Sequence, residues 1–220
     1  MTVQIGIKAP NIHVSEWVQG LATNIDKNTG KVILVEVFQV NCPGCFMYAL
    51  PSAIEIYTKY SRDDVTVLGL ATAFEDYDKN TLANLRLLLT SGEVIGDTLN
   101  ALRQYGQLIG NNILPYKIPF PVGMDILKKI ERNFSDNYVI DFMEANIENY
   151  NSYPDSDKKI LFERVKHYLR NKEYSAMTFE TYRLQGTPSA IVVDRKGILR
   201  NVSFGANNFL PNLIDQLVNE

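Results

Sequence analysis

The sequence is short of the groups that mark several function classes. It holds two cysteines, two histidines and one tryptophan in 220 residues. Two cysteines do not make a disulfide-stapled secreted scaffold. A chain of this length needs no staples, because it can bury about 70% of its unfolded surface. Neither sign of charge is in excess: 22 Lys and Arg stand against 25 Asp and Glu, a formal net charge of −3. A polyanion-binding protein wants clustered surplus Lys and Arg, so nucleic acid is excluded as a partner. No stretch approaches about 18 uninterrupted apolar residues, which excludes a transmembrane helix. The first ten residues carry Lys8 behind a few apolar residues and no long apolar core, so they are not a secretory signal. A cytoplasmic location is expected on that ground, or a periplasmic one for a chain trimmed of its leader. What is present, 45% hydrophobic and 21% charged residues, is ordinary globular composition.

Hydrophobic periodicity organises the chain. Residues 1–30 are mixed, with Trp17 and Val18 in a short apolar patch and a turn-like Asp26-Lys27-Asn28-Thr29-Gly30. The β-branched run over residues 31–38 predicts a central strand buried on both faces. From Cys42 the spacing becomes helical as far as Tyr60, with Pro51 expected to kink the helix. Residues 65–70 read as a second buried strand, and strand–helix–strand makes a right-handed parallel unit. Helices are expected over residues 80–90 and 93–105, and a short strand over 120–125. Residues 126–178 read as helical, interrupted at Asn151-Ser152-Tyr153-Pro154. That stretch has nine basic and nine acidic residues, which suits a solvated helical insertion. Residues 190–193 and 198–204 form a hairpin around Asp194-Arg195-Lys196-Gly197, and a helix over 209–218 ends the chain. The expected architecture is α/β: one domain over residues 1–220, a central mixed sheet flanked by helices, with 126–178 inserted into it.

Cys42-Pro43-Gly44-Cys45 falls where the first buried strand ends and a helix begins. The first turn of a helix has unpaired N–H groups and partial positive charge, which stabilises a thiolate. The Cys42 thiol is therefore expected below its free pKa of about 8.5. Cys42 is placed at the N-cap and Pro43 at the first helical position, where its missing N–H costs nothing. The three-residue offset brings Cys45 to the same face, so the two can close a disulfide. Cys42 would attack, and Cys45, one turn deeper, would resolve. The other readings of the pair are inert buried cysteines or half of a zinc site. Zinc needs two more ligands, and the chain has only His13 and His167 to offer.

Two further features stand near that turn. Glu36 is the only ionisable residue between Val32 and Val40. A buried carboxylate is costly unless used or paired, and its pKa rises. Six residues before Cys42, it can take the proton from Cys45 as that thiol attacks a mixed disulfide; otherwise it is an edge-strand residue facing solvent. Pro188 stands just before the hairpin strand, where a proline loses a ladder bond. A cis Thr187–Pro188 bond would set the Thr187 backbone beside the disulfide to pair with substrate.

These residues resemble a family. Ile33-Leu34-Val35-Glu36-Val37-Phe38 through Cys42-Pro43-Gly44-Cys45, with Gly186-Thr187-Pro188-Ser189 and Asp194-Arg195-Lys196-Gly197, is similar to the thioredoxin superfamily. More narrowly it resembles the TlpA-type redoxins of the alkyl hydroperoxide reductase/thiol-specific antioxidant group. Phe120-Pro121 followed by Asp125 is similar to a strand those proteins insert. The resemblance implies a thioredoxin-like fold and thiol–disulfide exchange without a cofactor. It implies Cys42 as nucleophile, Cys45 as resolving thiol, Glu36 as the buried acid, and Thr187 with cis-Pro188, beside Pro43 and Gly44, as the substrate-binding edge. The implied partners are a disulfide-bearing protein or small disulfide and an upstream thiol reductant, with the chain acting as reductase. Asn41 stands where thioredoxin has Trp, and Pro43-Gly44 reverses its Gly-Pro, a dipeptide that tunes the potential.

Two other functions share this fold or motif. A peroxiredoxin-like peroxidase would show Thr or Ser three residues before the reactive cysteine and Pro four before that; Gln39 and Val35 occupy those positions. A thiolate pair can instead hold copper(I) in a non-enzymatic metal-binding protein, though no histidine stands near the motif. Trp17 reads as packing, His13 and His167 as surface or capping groups, and Phe46, Met47 and Tyr48 as helix packing or the lining of a substrate groove.

Overall fold

The computed structural model describes residues 3–130, 135–147 and 149–220. They divide into two compact units, Met1–Leu127 with Ala176–Glu220, and Lys128–Ser175.

The larger unit is built on strand β2 (Val32–Phe38), every residue of which is buried. β2 pairs in parallel with β3 (Val65–Ala71) and antiparallel with β7 (Ser189–Val193). β7 turns back into β8 (Leu199–Phe204). On the other side β3 pairs in parallel with β4 (Val122–Asp125), and β4 antiparallel with β1 (Val14–Gln19). The sheet is mixed, in the order β1-β4-β3-β2-β7-β8. Alternation along β2 divides the apolar side chains between its two faces. Leu34 and Phe38 join Phe46, Leu50, Ile56, Leu85, Leu102, Ile214 and Leu217 on one face. Ile33, Val35 and Val37 join Ile12, Leu68, Leu70, Tyr182 and Ile191 on the other. Burial on both faces is why β2 is apolar at every position but one rather than alternating. Glu36 interrupts it on the Leu34–Phe38 face.

Helix α1 spans Leu50–Lys59, α2 Leu82–Ser91, α3 Gly96–Gln104 and α7 Leu210–Val218. Thr81 caps α2 through its hydroxyl on the Asn84 N–H, and Gly92 ends it with a left-handed φ of 77°. In the β7–β8 turn the Asp194 carboxylate accepts from the Lys196 and Ile198 N–H groups, and Gly197 takes a φ of 79°.

Several expectations are corrected. The patch around Trp17 and Val18 is the edge strand β1, whose two register shifts against β4 erase the alternation that would have announced it. Residues 93–95 precede α3 rather than belonging to it. The helix expected as far as Tyr60 is not regular throughout: it runs unbroken from Pro43 to Lys59, with a π turn, Cys45–Ala49, directly before Pro51 in the first turn of α1. The stretch from 126 does not begin as helix: β5 (Leu127–Lys129) pairs with β6 (Tyr174–Ala176), joining ends far apart in sequence.

The smaller unit contains α4 (Asp136–Asn146) and α5 (Asp155–Asn171). Ser135 caps α4 on the Tyr138 N–H, and Lys166 of α5 is paired with Asp136 at 2.6 Å. Among the described residues, Val139, Met143, Tyr150 and Leu169 are its buried apolar side chains. A short α6 (Met177–Thr181) follows in the larger unit. Among the described residues, no helix is long and apolar enough to cross a membrane.

Candidate active site

Cys42 follows the C-terminal end of β2 and precedes the first helical residue, Pro43. It is the N-cap. Its carbonyl accepts from the Cys45 N–H at 3.0 Å, and its Sγ lies 3.3 Å from the same N–H. The cap side chain therefore shares a first-turn N–H with its own carbonyl, an arrangement that favours negative charge on that sulfur. Cys42 and Cys45 form a disulfide with their Cα atoms 5.4 Å apart. Cys42 is half-buried, whereas Cys45 is 0% exposed. Only the first sulfur is open to a partner.

The Thr187–Pro188 peptide bond is cis. The Thr187 carbonyl oxygen lies 3.5 Å from Cys42 Sγ. A Cβ on Gly44 would sit 3.8 Å from Pro188 Cδ, so Gly44 faces the proline ring. The loop is tied down at both ends: Ser189 Oγ donates to the Gly186 carbonyl, and the Gly205 N–H donates to the Pro188 carbonyl, each at 2.8 Å. Cys42, Gly44, Thr187 and Pro188, drawn from ends of the chain more than a hundred residues apart, thus share one edge.

Glu36 lies in β2, the strand that leads to Cys42. It is 2% exposed, and its Oε1 has no hydrogen-bond partner. Burial raises its pKa well above the ordinary carboxylate value. Its ladder neighbours are Gly69 on β3 and Ala190 on β7, the two smallest side chains available. The space that Gly69 leaves is taken by Val122 and Phe120, 3.0 and 3.1 Å from where a Cβ would stand. Cys45 is buried among the apolar residues of the same β2 face. The edge-strand reading of Glu36 is therefore wrong, because β2 is a central strand.

Three polar residues near the cysteines were not singled out as site residues from sequence. Gln39 is 1% exposed; its Oε1 accepts from Thr187 Oγ1 at 3.0 Å and its Nε2 donates to the Glu75 carbonyl at 3.3 Å. Asn41 and Asn80 are buried and bonded to each other. The available signal was polarity without charge just after a fully apolar strand, in Gln39 and Asn41, where solvated loop side chains look the same.

Asp125 and the histidines have other work. Asp125 accepts from the Thr178 and Phe179 N–H groups and from Thr72 Oγ1, holding the start of α6. His13 precedes β1, and the exposed His167 meets Asn171 at 2.9 Å. Phe46 is buried in the core, Met47 packs against it, and Tyr48 is exposed.

No family model matches the chain, and no curated protein matches it. Solved structures do. A thioredoxin-like superfamily protein aligns over 98% of this chain and 98% of its own, at 24% identity and a TM-score of 0.60. A thiol-disulfide isomerase from Corynebacterium glutamicum aligns over 95% of this chain and 94% of its own, at 27% identity and a TM-score of 0.58.

Proposed function

We propose that this chain, a redoxin of the thioredoxin superfamily, is a thiol–disulfide oxidoreductase that works through Cys42 and Cys45, most readily as a reductase. The observation that carries this reading is the unequal pair: an accessible Cys42 sulfur at a helix N-terminus, disulfide-bonded to a fully buried Cys45 beside the Thr187 carbonyl.

In the reduced protein, the Cys42 thiolate attacks a substrate disulfide, forming a mixed disulfide and releasing one substrate thiolate. The Cys45 thiol then loses its proton and attacks Cys42 Sγ. That closes the Cys42–Cys45 disulfide and releases the second substrate thiolate. Two electrons pass to the substrate, and an upstream thiol reductant returns them. Burial raises the pKa of Glu36 and so makes its carboxylate a stronger base than a solvated one; in this reading Glu36 accepts the Cys45 proton in the resolving step. The Thr187 backbone and Pro188, across from Pro43 and Gly44, supply the edge on which an extended substrate lies. The substrate class is a protein disulfide or a small disulfide, and the expected setting is a thiol-reducing one such as the cytoplasm.

The test is the equilibrium reduction potential of the pair in dithiothreitol or glutathione buffers, with Cys45→Ser alongside. A value near about −270 mV supports a reductase, and one near about −120 mV a disulfide donor. Cys45→Ser should accumulate a mixed disulfide with a model substrate, seen as a mass increase that dithiothreitol removes, while Cys42→Ser should show no exchange. Normal turnover by Cys45→Ser would reverse the two roles. Failure to form a reversible disulfide would overturn the reading.

A further inference from the structure

The residue before the nucleophile is held more firmly than its position in a loop requires. The Asn41 N–H donates to Asn80 Oδ1 at 2.9 Å. Asn41 Nδ2 donates to Asp76 Oδ2 at 2.7 Å and lies 3.3 Å from Asp97 Oδ2. Asn41 Oδ1 accepts from the Asp97 N–H at 2.7 Å, in the first turn of α3. One buried amide thus joins the end of β2 to the loop after β3 and to α3. The fit is close enough to dictate a neighbour. A Cβ on Gly96, which has a φ of +55°, would overlap Asn41 Oδ1.

The amide also gathers charge. Two carboxylates, Asp76 and Asp97, converge on a single side-chain N–H₂ group, one residue from Cys42. Asp76 takes a left-handed φ of 47° to reach it. The charged groups around them are Lys79, whose Nζ is 4.0 Å from Asp76 Oδ1, and Glu75, which Asp76 repels. On the sheet side, the titratable group near the pair is Glu36, which is buried. One cation therefore accompanies three carboxylates around the residue that precedes the nucleophile. Negative charge disfavours a thiolate, against the favourable field of the helix N-terminus.

We propose that Asn41 with Asp76 and Asp97 is a positioning unit that holds Cys42 and sets its acidity, and through it the poise of the disulfide. Asn41 fixes the backbone that enters the N-cap. The carboxylates raise the thiol pKa, destabilise the reduced form and favour the Cys42–Cys45 disulfide, which makes the reduced enzyme the stronger reductant. This inference rests on the reading of Cys42 as the attacking thiol.

The experiment compares Asp76→Asn and Asp97→Asn with the unaltered chain. Both variants keep the side-chain shape and an acceptor oxygen while removing charge. The rate of iodoacetamide alkylation of the reduced protein is followed against pH at low and high salt, with the modified cysteine identified by mass spectrometry. Each variant should lower the Cys42 pKa by about half a unit at low salt, the size expected for a partly solvated charge at this range, and by less at high salt. Above the thiol pKa, a half-unit shift is about a threefold change in the exchange equilibrium, or about 15 mV toward a less negative potential at about 30 mV per tenfold. Asn41→Asp should move the pKa the opposite way, by adding a further carboxylate beside Asp76 and Asp97. An unmoved alkylation profile in both Asp→Asn variants, with thermal unfolding intact, overturns the proposal. Preferential alkylation of Cys45 would instead overturn the order of attack on which it rests. A chain that forms no reversible disulfide, yet whose Cys42 profile still shifts, would leave the electrostatic unit standing and sink the oxidoreductase reading alone.

Discussion

At the scale of single residues, Glu36 is the position where stability and proposed chemistry pull apart. Its carboxyl is buried with one oxygen unpaired, and burial holds its pKa well above the value of 4.5 for a solvated glutamate. The linkage follows from that direction. Below about pH 4.5 both the folded and the unfolded chain hold the proton, and the ionisation of Glu36 takes nothing from stability. As pH rises toward the folded pKa, the unfolded chain ionises first, so stability is progressively lost. Glu36→Gln removes this term. The variant should melt higher than the parent at pH 7 to 8, and the gap should close toward pH 4.5; thermal unfolding of the oxidised protein at several pH values checks it. The same variant should resolve mixed disulfides more slowly. A melting difference that does not vary with pH would mean that Glu36 is already ionised in the folded chain.

At the scale of elements, the turn between β2 and α1 shows how a proline shapes a site from a distance. Within the π turn the Leu50 N–H bonds the Cys45 carbonyl. The Phe46 carbonyl would next look to residue 51, which is Pro51 and has no N–H. Tyr116 fills the gap, its hydroxyl donating to the Phe46 carbonyl at 2.7 Å. Burial pushes the Tyr116 hydroxyl pKa upward, so the group remains a donor across the working pH range. Tyr116→Phe leaves that carbonyl without its partner and should cost about 1–3 kcal/mol. Urea denaturation should show it as a lower midpoint at unchanged slope. A change below about 0.5 kcal/mol would mean that water replaces the hydroxyl.

At the scale of the whole molecule, the sheet core is assembled entirely from the larger unit, and the smaller unit has its own few buried side chains. The Ile130 N–H donates to the Glu173 carbonyl at 2.9 Å, so the two ends of the smaller unit are already neighbours. We propose that it is an insertion within one thioredoxin-like domain. Replacing residues 131–172 by an Asn-Gly turn should convert β5 and β6 into a hairpin. The shortened chain should unfold cooperatively and keep the potential of the Cys42–Cys45 pair unchanged. An aggregated or molten product would show that the larger unit depends on the insertion to fold.

Much of this was legible in the sequence because it rests on local physics. Continuous β-branched runs announced β2 and β3, turn chemistry announced the β7–β8 hairpin, and the strand-to-helix switch at Cys42 located the redox pair. A lone carboxylate in an apolar strand marked Glu36. Tertiary structure alone decided the rest, since each of these features depends on partners distant in the chain. Strand β1 is held by β4, and β5 by β6; neither carries a periodic signal of its own. Gln39 and Asn41 look like loop residues until Thr187, Asp76 and Asp97 close on them. Gly96 looks like any turn glycine until Asn41 occupies the space of its missing side chain. Hydrophobic pattern is written residue by residue, whereas a polar contact across the fold exists only once both of its partners have been brought together.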